Sequence, residues 1–358
     1  MGSYAPWSSD QFSVPEKKAH SKLMRRLVPI ICGFSVLVAV LVIVGVMLTA
    51  DSSSPTDASS SDGSNTRATP ASFRLSSCPP VAAKDRTVAF WQSEVAGCDT
   101  VPDGVTHLVF GFALVAAEGV IVPSFQSSDD YITQCVEKLH TRCILTLASV
   151  GGSTNNDNMS ALVNATLFAE SALDLVTKFG FAGLDFDDET VGMQFSAGRV
   201  VELLKATREA LDATGSTKSA LLTYDAYFNE GDPAVCAAKD TATHSRCFPT
   251  KVLDYVDWVN IMAYNVNLDN VIAAEIYAAA VKTTFAAWGT RLGGDFSRAT
   301  VGLCLKGGCA YGPGPNAKVL VEWERFGRQD GHGGMMIYSA SAEVGDDFGV
   351  TRSIIRST

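Results

Sequence analysis

The sequence predicts an α/β fold: a (β/α)8 barrel of the TIM type, held outside a membrane by one N-terminal transmembrane helix. Three observations lead there. Residues 27–50 are 24 uncharged, mostly apolar residues in a row, long enough to cross a bilayer as a helix. Eight short apolar runs follow after residue 84, several of them continuous, as in parallel strands buried on both faces. Segments with apolar residues at helical spacing separate most of these runs, and regular strand–helix alternation over this length favours a barrel. A doubly wound open sheet is the alternative. No Gly-x-Gly-x-x-Gly follows a strand, which argues against dinucleotide binding.

The N-terminal region reads in three parts. Residues 1–26 carry Lys17, Lys18, Lys22, Arg25 and Arg26 against Asp10 and Glu16, a net charge of +3, so the −10 total leaves −13 for the remainder. The basic cluster precedes the span and Asp51 follows it. The positive-inside rule then makes 1–26 a cytosolic tail and 27–50 a signal-anchor. The expected topology is single-pass type II, with everything after residue 50 extracellular or in a secretory lumen. Residues 51–83 begin with a Ser-rich tract that has nothing to pack and read as a flexible stalk. Residues 84–358 are the expected barrel. Its acidity argues against nucleic acid as a partner; the bilayer is the expected partner of 27–50.

The cysteines fit an oxidising compartment. Cys32 lies in the span, which leaves eight: Cys78, Cys98, Cys135, Cys143, Cys236, Cys247, Cys304 and Cys309. Short separations favour Cys236–Cys247 and Cys304–Cys309, then Cys135–Cys143 and Cys78–Cys98. Asn158 and Asn164 head glycosylation sequons.

Strands are expected near 87–91, 106–114, 142–149, 181–189, 219–225, 256–264, 299–305 and 334–340. Helices are expected near 129–140, 164–179, 196–213, 271–288 and 316–328. Ser196 precedes a run with Val200, Leu203, Leu204 and Leu211, and charges lie on the opposite face. The first connection, 92–105, is too short for a full helix.

The chemistry concentrates in residues 181–189, Phe-Ala-Gly-Leu-Asp-Phe-Asp-Asp-Glu. Alternation along a strand puts Asp185, Asp187 and Glu189 on one face and Leu184 and Phe186 on the other. The apolar face suits a helix layer, so the acids are expected to point into the barrel. Three acids there resist joint ionisation, and at least one is expected to hold a proton near neutrality. A protonated Glu at the C-terminal rim of a barrel strand is poised as a general acid. A divalent-cation site or a solvated acidic loop are the alternatives. The histidines (His20, His107, His140, His244 and His332) show no metal-ligand spacing, so neither a metal nor an organic cofactor is expected.

This segment resembles the catalytic strand of glycoside hydrolase family 18, the chitinases and their relatives, whose pattern is Asp-Gly-x-Asp-x-Asp-x-Glu; Ala182 replaces the first Asp. Ser149-Val-Gly-Gly152 is similar to the family's strand-three motif and Met262-Ala-Tyr264-Asn265 to its strand-six motif, with Asn for the usual Asp. Gly333-Gly-Met-Met-Ile-Tyr338 resembles its last strand, where the family usually has Trp.

The resemblance implies a retaining, substrate-assisted hydrolase of β-1,4-linked N-acetylglucosamine polymers such as chitin. Glu189 would protonate the glycosidic oxygen. Asp187 would orient the N-acetyl group, Asp185 would exchange a hydrogen bond or proton with Asp187, and Tyr264 would hold the acetamido carbonyl. Asn265 would contact the sugar, Tyr338 would floor it, and Gly151 and Gly152 would leave it room. Trp91, Phe110, Phe112, Tyr224 and Tyr227 are candidates to stack on sugars, though such aromatics are more often core. An endo-β-N-acetylglucosaminidase acting on N-glycans and a non-catalytic chitin-binding lectin or receptor are the alternative functions; the retained Glu189 favours an enzyme.

Overall fold

The computed structural model describes residues 78–356, apart from 93, 156–163, 191–193, 215–219, 230–246, 306–307 and 311. The tail, the expected span 27–50 and the Ser-rich tract lie outside the described residues, as do Asn158 and Cys236. No single described helix is long and apolar enough to cross a membrane.

Among the described residues, nine strands form one sheet: β1 (Thr87–Gln92), β2 (His107–Val115), β3 (Ile121–Pro123), β4 (Leu145–Gly151), β5 (Gly183–Asp187), β6 (Leu221–Tyr227), β7 (Trp258–Met262), β8 (Ala299–Cys304) and β9 (Met335–Tyr338). Eight of them run parallel, in the order β1-β2-β4-β5-β6-β7-β8-β9, and β9 pairs back onto β1. The sheet is therefore a closed barrel and not the doubly wound alternative. The extra strand, β3, folds back antiparallel on β2 and was not expected from its three residues.

Among the described residues, seven helices accompany the strands: α1 (Asp129–Thr141), α2 (Ala165–Phe179), α3 (Ala197–Asp212), α4 (Asn270–Ala279), α5 (Thr284–Arg291), α6 (Ala317–Gly327) and α7 (Gly349–Arg356). Their starts follow local chemistry. Ser128, Asn164, Ser196, Asp269 and Asn316 each accept backbone N–H bonds with their side chains as N-caps. Gly180 ends α2 in the left-handed conformation that suits glycine.

The single helix expected over 271–288 is two, α4 and α5, bent by 54°. The break falls at Thr283, whose φ of −115° and ψ of −83° leave the helical range, and whose hydroxyl bonds the carbonyl of Ala279 at 3.0 Å. Such local bonding by a β-branched hydroxyl competes with regular helix. Among the described residues of the first connection, a short 3-10 turn forms, Cys98–Thr100.

Two apolar regions result. The outward strand faces and the helices form the larger core, including Trp91, Leu184, Phe186, Tyr224, Ile261 and Trp288. Inside the barrel lie Val88, Phe90, Val109, Leu147, Trp258, Met262 and Met336.

The disulfides correct two expected pairings. Cys78 joins Cys143 and Cys98 joins Cys135, while Cys304–Cys309 forms as expected. Cys135 lies on the buried face of α1, so it meets the 3-10 turn that starts at Cys98. Cys143 follows the end of α1 and instead anchors the chain entering β1. Separation along the chain could not see this, because helix phase aims the two cysteines in different directions. Cys247 is disulfide-bonded as well.

Candidate active site

The C-terminal ends of the parallel strands gather the polar residues. On β5, Leu184 and Phe186 pack outward and Asp185 and Asp187 point inward; both acids are buried. Glu189 follows at the rim, half-buried. Asp188 falls between them on the outward register, where it accepts a bond from Thr190 N (3.0 Å).

Asp185 sits deepest, and three neighbouring strands serve it. Ser149 of β4 donates to its Oδ2 at 2.7 Å. Thr223 of β6 and Asn260 of β7 (3.2 Å) both donate to its Oδ1. Asn260 is itself fixed, since its Oδ1 accepts from Trp258 Nε1 (2.9 Å) and Thr300 Oγ1 (2.7 Å); only its amide nitrogen is left to face the acids. Burial pushes the Asp185 carboxyl above its ordinary range, against the pull of these bonds.

Nearer the rim, Tyr227 donates to Glu189 Oε2 at 2.5 Å. Tyr264 is raised well above the usual phenol range, first by burial and then by Asp225 and Asp187. Its hydroxyl therefore stays protonated, a donor beside the acids. Tyr338 stacks on Tyr264 with ring centroids 5.6 Å apart and planes 16° apart, and its hydroxyl accepts from Gln92 Nε2 at 2.6 Å. The position the family fills with Trp thus holds a smaller ring locked by a hydrogen bond.

Gly151 and Gly152 have φ of +115° and +82°. A Cβ on Gly152 would lie 3.1 Å from the Phe112 ring. Asn265 adopts φ +53° and accepts from Ala310 N at 3.0 Å with its side chain; it holds the neighbouring loop at the mouth. Among the described residues, no group of three or more His, Cys, Asp and Glu is arranged to hold a metal ion.

Two expected sugar-binding residues are corrected. Trp91 and Tyr224 point away from the barrel interior and are 1% and 0% exposed. Trp91 donates to Glu94 O and packs against Phe348; Tyr224 lies between Phe186 and Phe248. Both fall on the outward register of strands whose two faces are covered, where apolar character does not tell in from out. Phe110 is buried in the same outer layer.

Residues 86–303 match the family "Glycosyl hydrolases family 18". The chain belongs to this family. Among curated proteins it is similar to Endochitinase 1 of Metarhizium robertsii, 24% identical over 187 residues, which are 45% of this chain and 42% of the relative. It is also similar to Nod factor hydrolase protein 1 of Medicago truncatula, 31% identical over 36% of this chain and 34% of the relative. The matches thus span about two fifths or less of these relatives. The fold is shared with the family 18 chitinase of Cycas revoluta solved with allosamidin: TM-score 0.58, 19% identity, 76% of this chain and 99% of that one.

Asp185, Asp187, Glu189 and Tyr264 lie at the same C-terminal end of the barrel. Three residues that sequence reasoning passed over join them: Asp225, Asn260 and Thr223. A period-two signal was present, because Thr223, Asp225 and Tyr227 alternate with Leu222, Tyr224 and Ala226.

Proposed function

We propose that this family 18 chain is a chitinase-like glycoside hydrolase that cleaves β-1,4-linked N-acetylglucosamine polymers with retention. One observation carries the reading. Asp185 and Asp187 point inward from β5, and Glu189, just beyond its C-terminal end, is held at the rim of the barrel by Tyr227. The curated relatives named as chitinases and the oligosaccharide-bound Cycas structures support this substrate class.

The reaction needs an acid, an internal nucleophile and a way to hold it. Glu189 gives its proton to the glycosidic oxygen as the C1–O bond breaks. The carbonyl oxygen of the substrate's N-acetyl group closes on C1 from the opposite face, giving an oxazolinium ion and the freed alcohol. Asp187 faces the acetamido N–H and stabilises the positive charge. The Tyr264 hydroxyl holds the carbonyl oxygen in line. Water then attacks C1, the Glu189 carboxylate takes its proton, and the acetamido group is restored.

Anchoring is part of the proposal. Residues 27–50 hold the enzyme in a membrane as a type II protein, supported by their length, their lack of charge and the basic residues before them. Asn164 is exposed and is proposed to carry a glycan. Its Oδ1 caps α2, and a sugar on its amide nitrogen would leave that bond in place.

The test is release of a fluorophore from a chitotrioside by the full chain, beside Glu189→Gln. Wild-type turnover with a loss of about 10²–10⁴-fold in the variant is expected. Equal rates would remove Glu189 from the chemistry. Saccharide binding without turnover would make the protein a lectin, and cleavage of high-mannose glycoprotein but not chitin would make it an N-glycan endoglycosidase.

A further inference from the structure

Asp225 is a fourth buried acid that the reaction above does not use. It lies on β6, two residues beyond Thr223 and on the same inward face. Thr223 is in register with Asp185 and Asp225 with Asn260, so Asp225 stands one step nearer the rim than Asp185. It is 1% exposed. Its carboxyl is within hydrogen-bond reach of the Asp185 carboxyl, and its Oδ1 has no hydrogen-bond partner among the described residues.

Two carboxylates at that separation in a dry interior cannot both be ionised; one must carry a proton. Donor supply decides which. Asp185 accepts from Ser149, Thr223 and Asn260, an environment that favours the anion. Asp225 shares only the Asn260 amide and leaves one oxygen orphaned. An unpaired carbonyl oxygen of a neutral acid costs less than an unpaired oxygen of a carboxylate.

We propose that Asp225 is a positioning residue of the active site: a neutral carboxylic acid that donates its proton to Asp185, keeps that carboxylate ionised, and extends the row of acids from three to four. The proposal rests on the glycosidase reading of the site. Burial, then Asp185 and Asp187, push Asp225 well above the ordinary carboxylate range. The titratable groups that act on it are Asp185 and Asp187 from β5, Tyr264 from the segment after β7, and Tyr338 from β9; Tyr227, two residues on along β6, bonds Glu189. Each of these is neutral or negative. Arg86 and His107 stand at the opposite, N-terminal end of the barrel strands. With Asp225 as donor, Asp185 stays the charged member of the pair, two residues before Asp187 on the same face of β5.

Two measurements on the detergent-solubilised full chain test this. The first is the infrared band of protonated carboxyl groups at pH 7, which does not depend on turnover. It is expected in wild type and in Glu189→Gln and is expected to weaken in Asp225→Asn; a band unchanged in Asp225→Asn overturns the proposal. The second is the acidic limb of kcat/KM against pH on the fluorogenic chitotrioside. Asp225→Leu removes a donor from an ionised acid, so the limb should move up by about one pH unit. Asp225→Asn keeps a donor and should leave the limb within a few tenths of wild type. A limb that moves down in both variants means that Asp225 is an anion, and the proposal falls. If wild type hydrolyses no chitotrioside, the glycosidase reading fails, and the infrared band alone still decides the state of Asp225. If Asp225→Leu does not fold, Asp225→Asn carries both measurements.

Discussion

Acid should destabilise this fold through a histidine that the barrel buries uncharged. His107 begins β2 and is 4% exposed, with its ring edge-on to Trp258 at 4.9 Å. Its Nδ1 lies 2.8 Å from Thr106 Oγ1. That hydroxyl donates to Thr87 O (3.0 Å) and accepts from Thr87 N (2.9 Å). A hydroxyl has one proton and two lone pairs, so the remaining lone pair takes the His107 N–H, and the neutral Nδ1–H form is specified. Burial, then the Arg86 charge, lower the His107 pKa to about 3. The unfolded chain takes up this proton near 6.5 and the folded chain does not. Stability is therefore fully present above pH 6.5 and is lost as the pH falls toward 3. At pH 4.5 the loss from this one residue is about 2–3 kcal/mol relative to pH 7. The assay is denaturant unfolding of wild type and His107→Gln between pH 7 and 4.5. Because Gln does not titrate, the gap between the two should change by about that amount across the range, with the variant losing less. His140, lowered to about 4 by burial, titrates in both proteins and cancels from the difference. Parallel curves would refute the reasoning.

Other outcomes follow from the same geometry. Tyr264→Phe keeps the ring stacked on Tyr338 and removes only the hydroxyl, so kcat on chitotrioside should fall by about 10²–10³-fold with little change in thermal stability. Asn260→Leu strips acceptors from Trp258 Nε1 and Thr300 Oγ1 and a donor from Asp185; a loss of at least about 2 kcal/mol in unfolding free energy is expected. Gly152→Ala forces a side chain into a left-handed backbone against the Phe112 ring and should cost about 1–2 kcal/mol, read as a lower denaturation midpoint.

Much of the site was legible because its signal is local. Alternation along one strand places Asp185, Asp187 and Glu189 on a common face without any knowledge of what surrounds it, and the β5 side chains lie as that rule requires. The helix starts at Ser128, Asn164, Ser196 and Asn316 are equally local, since a cap serves N–H groups two or three residues away. The same rule is silent for Trp91 and Tyr224. Their strands are apolar on both sides, so periodicity shows that the faces differ but not which one is inside.

The amino-acid order by itself determined the barrel class, the row of three acids and the eight cysteines outside the apolar span, because these signals lie within about one turn or one strand. Tertiary structure alone decided that Cys78 meets Cys143, that the helix expected over 271–288 breaks at Thr283, that Trp91 and Tyr224 face outward, and that Asp225 and Asn260 join the acids of β5. The reason is register. Which residues of neighbouring strands share a rung is settled by closure of the whole sheet, and a carboxyl on the next strand or an amide two strands away is distant in sequence until that closure brings it beside the acids of β5.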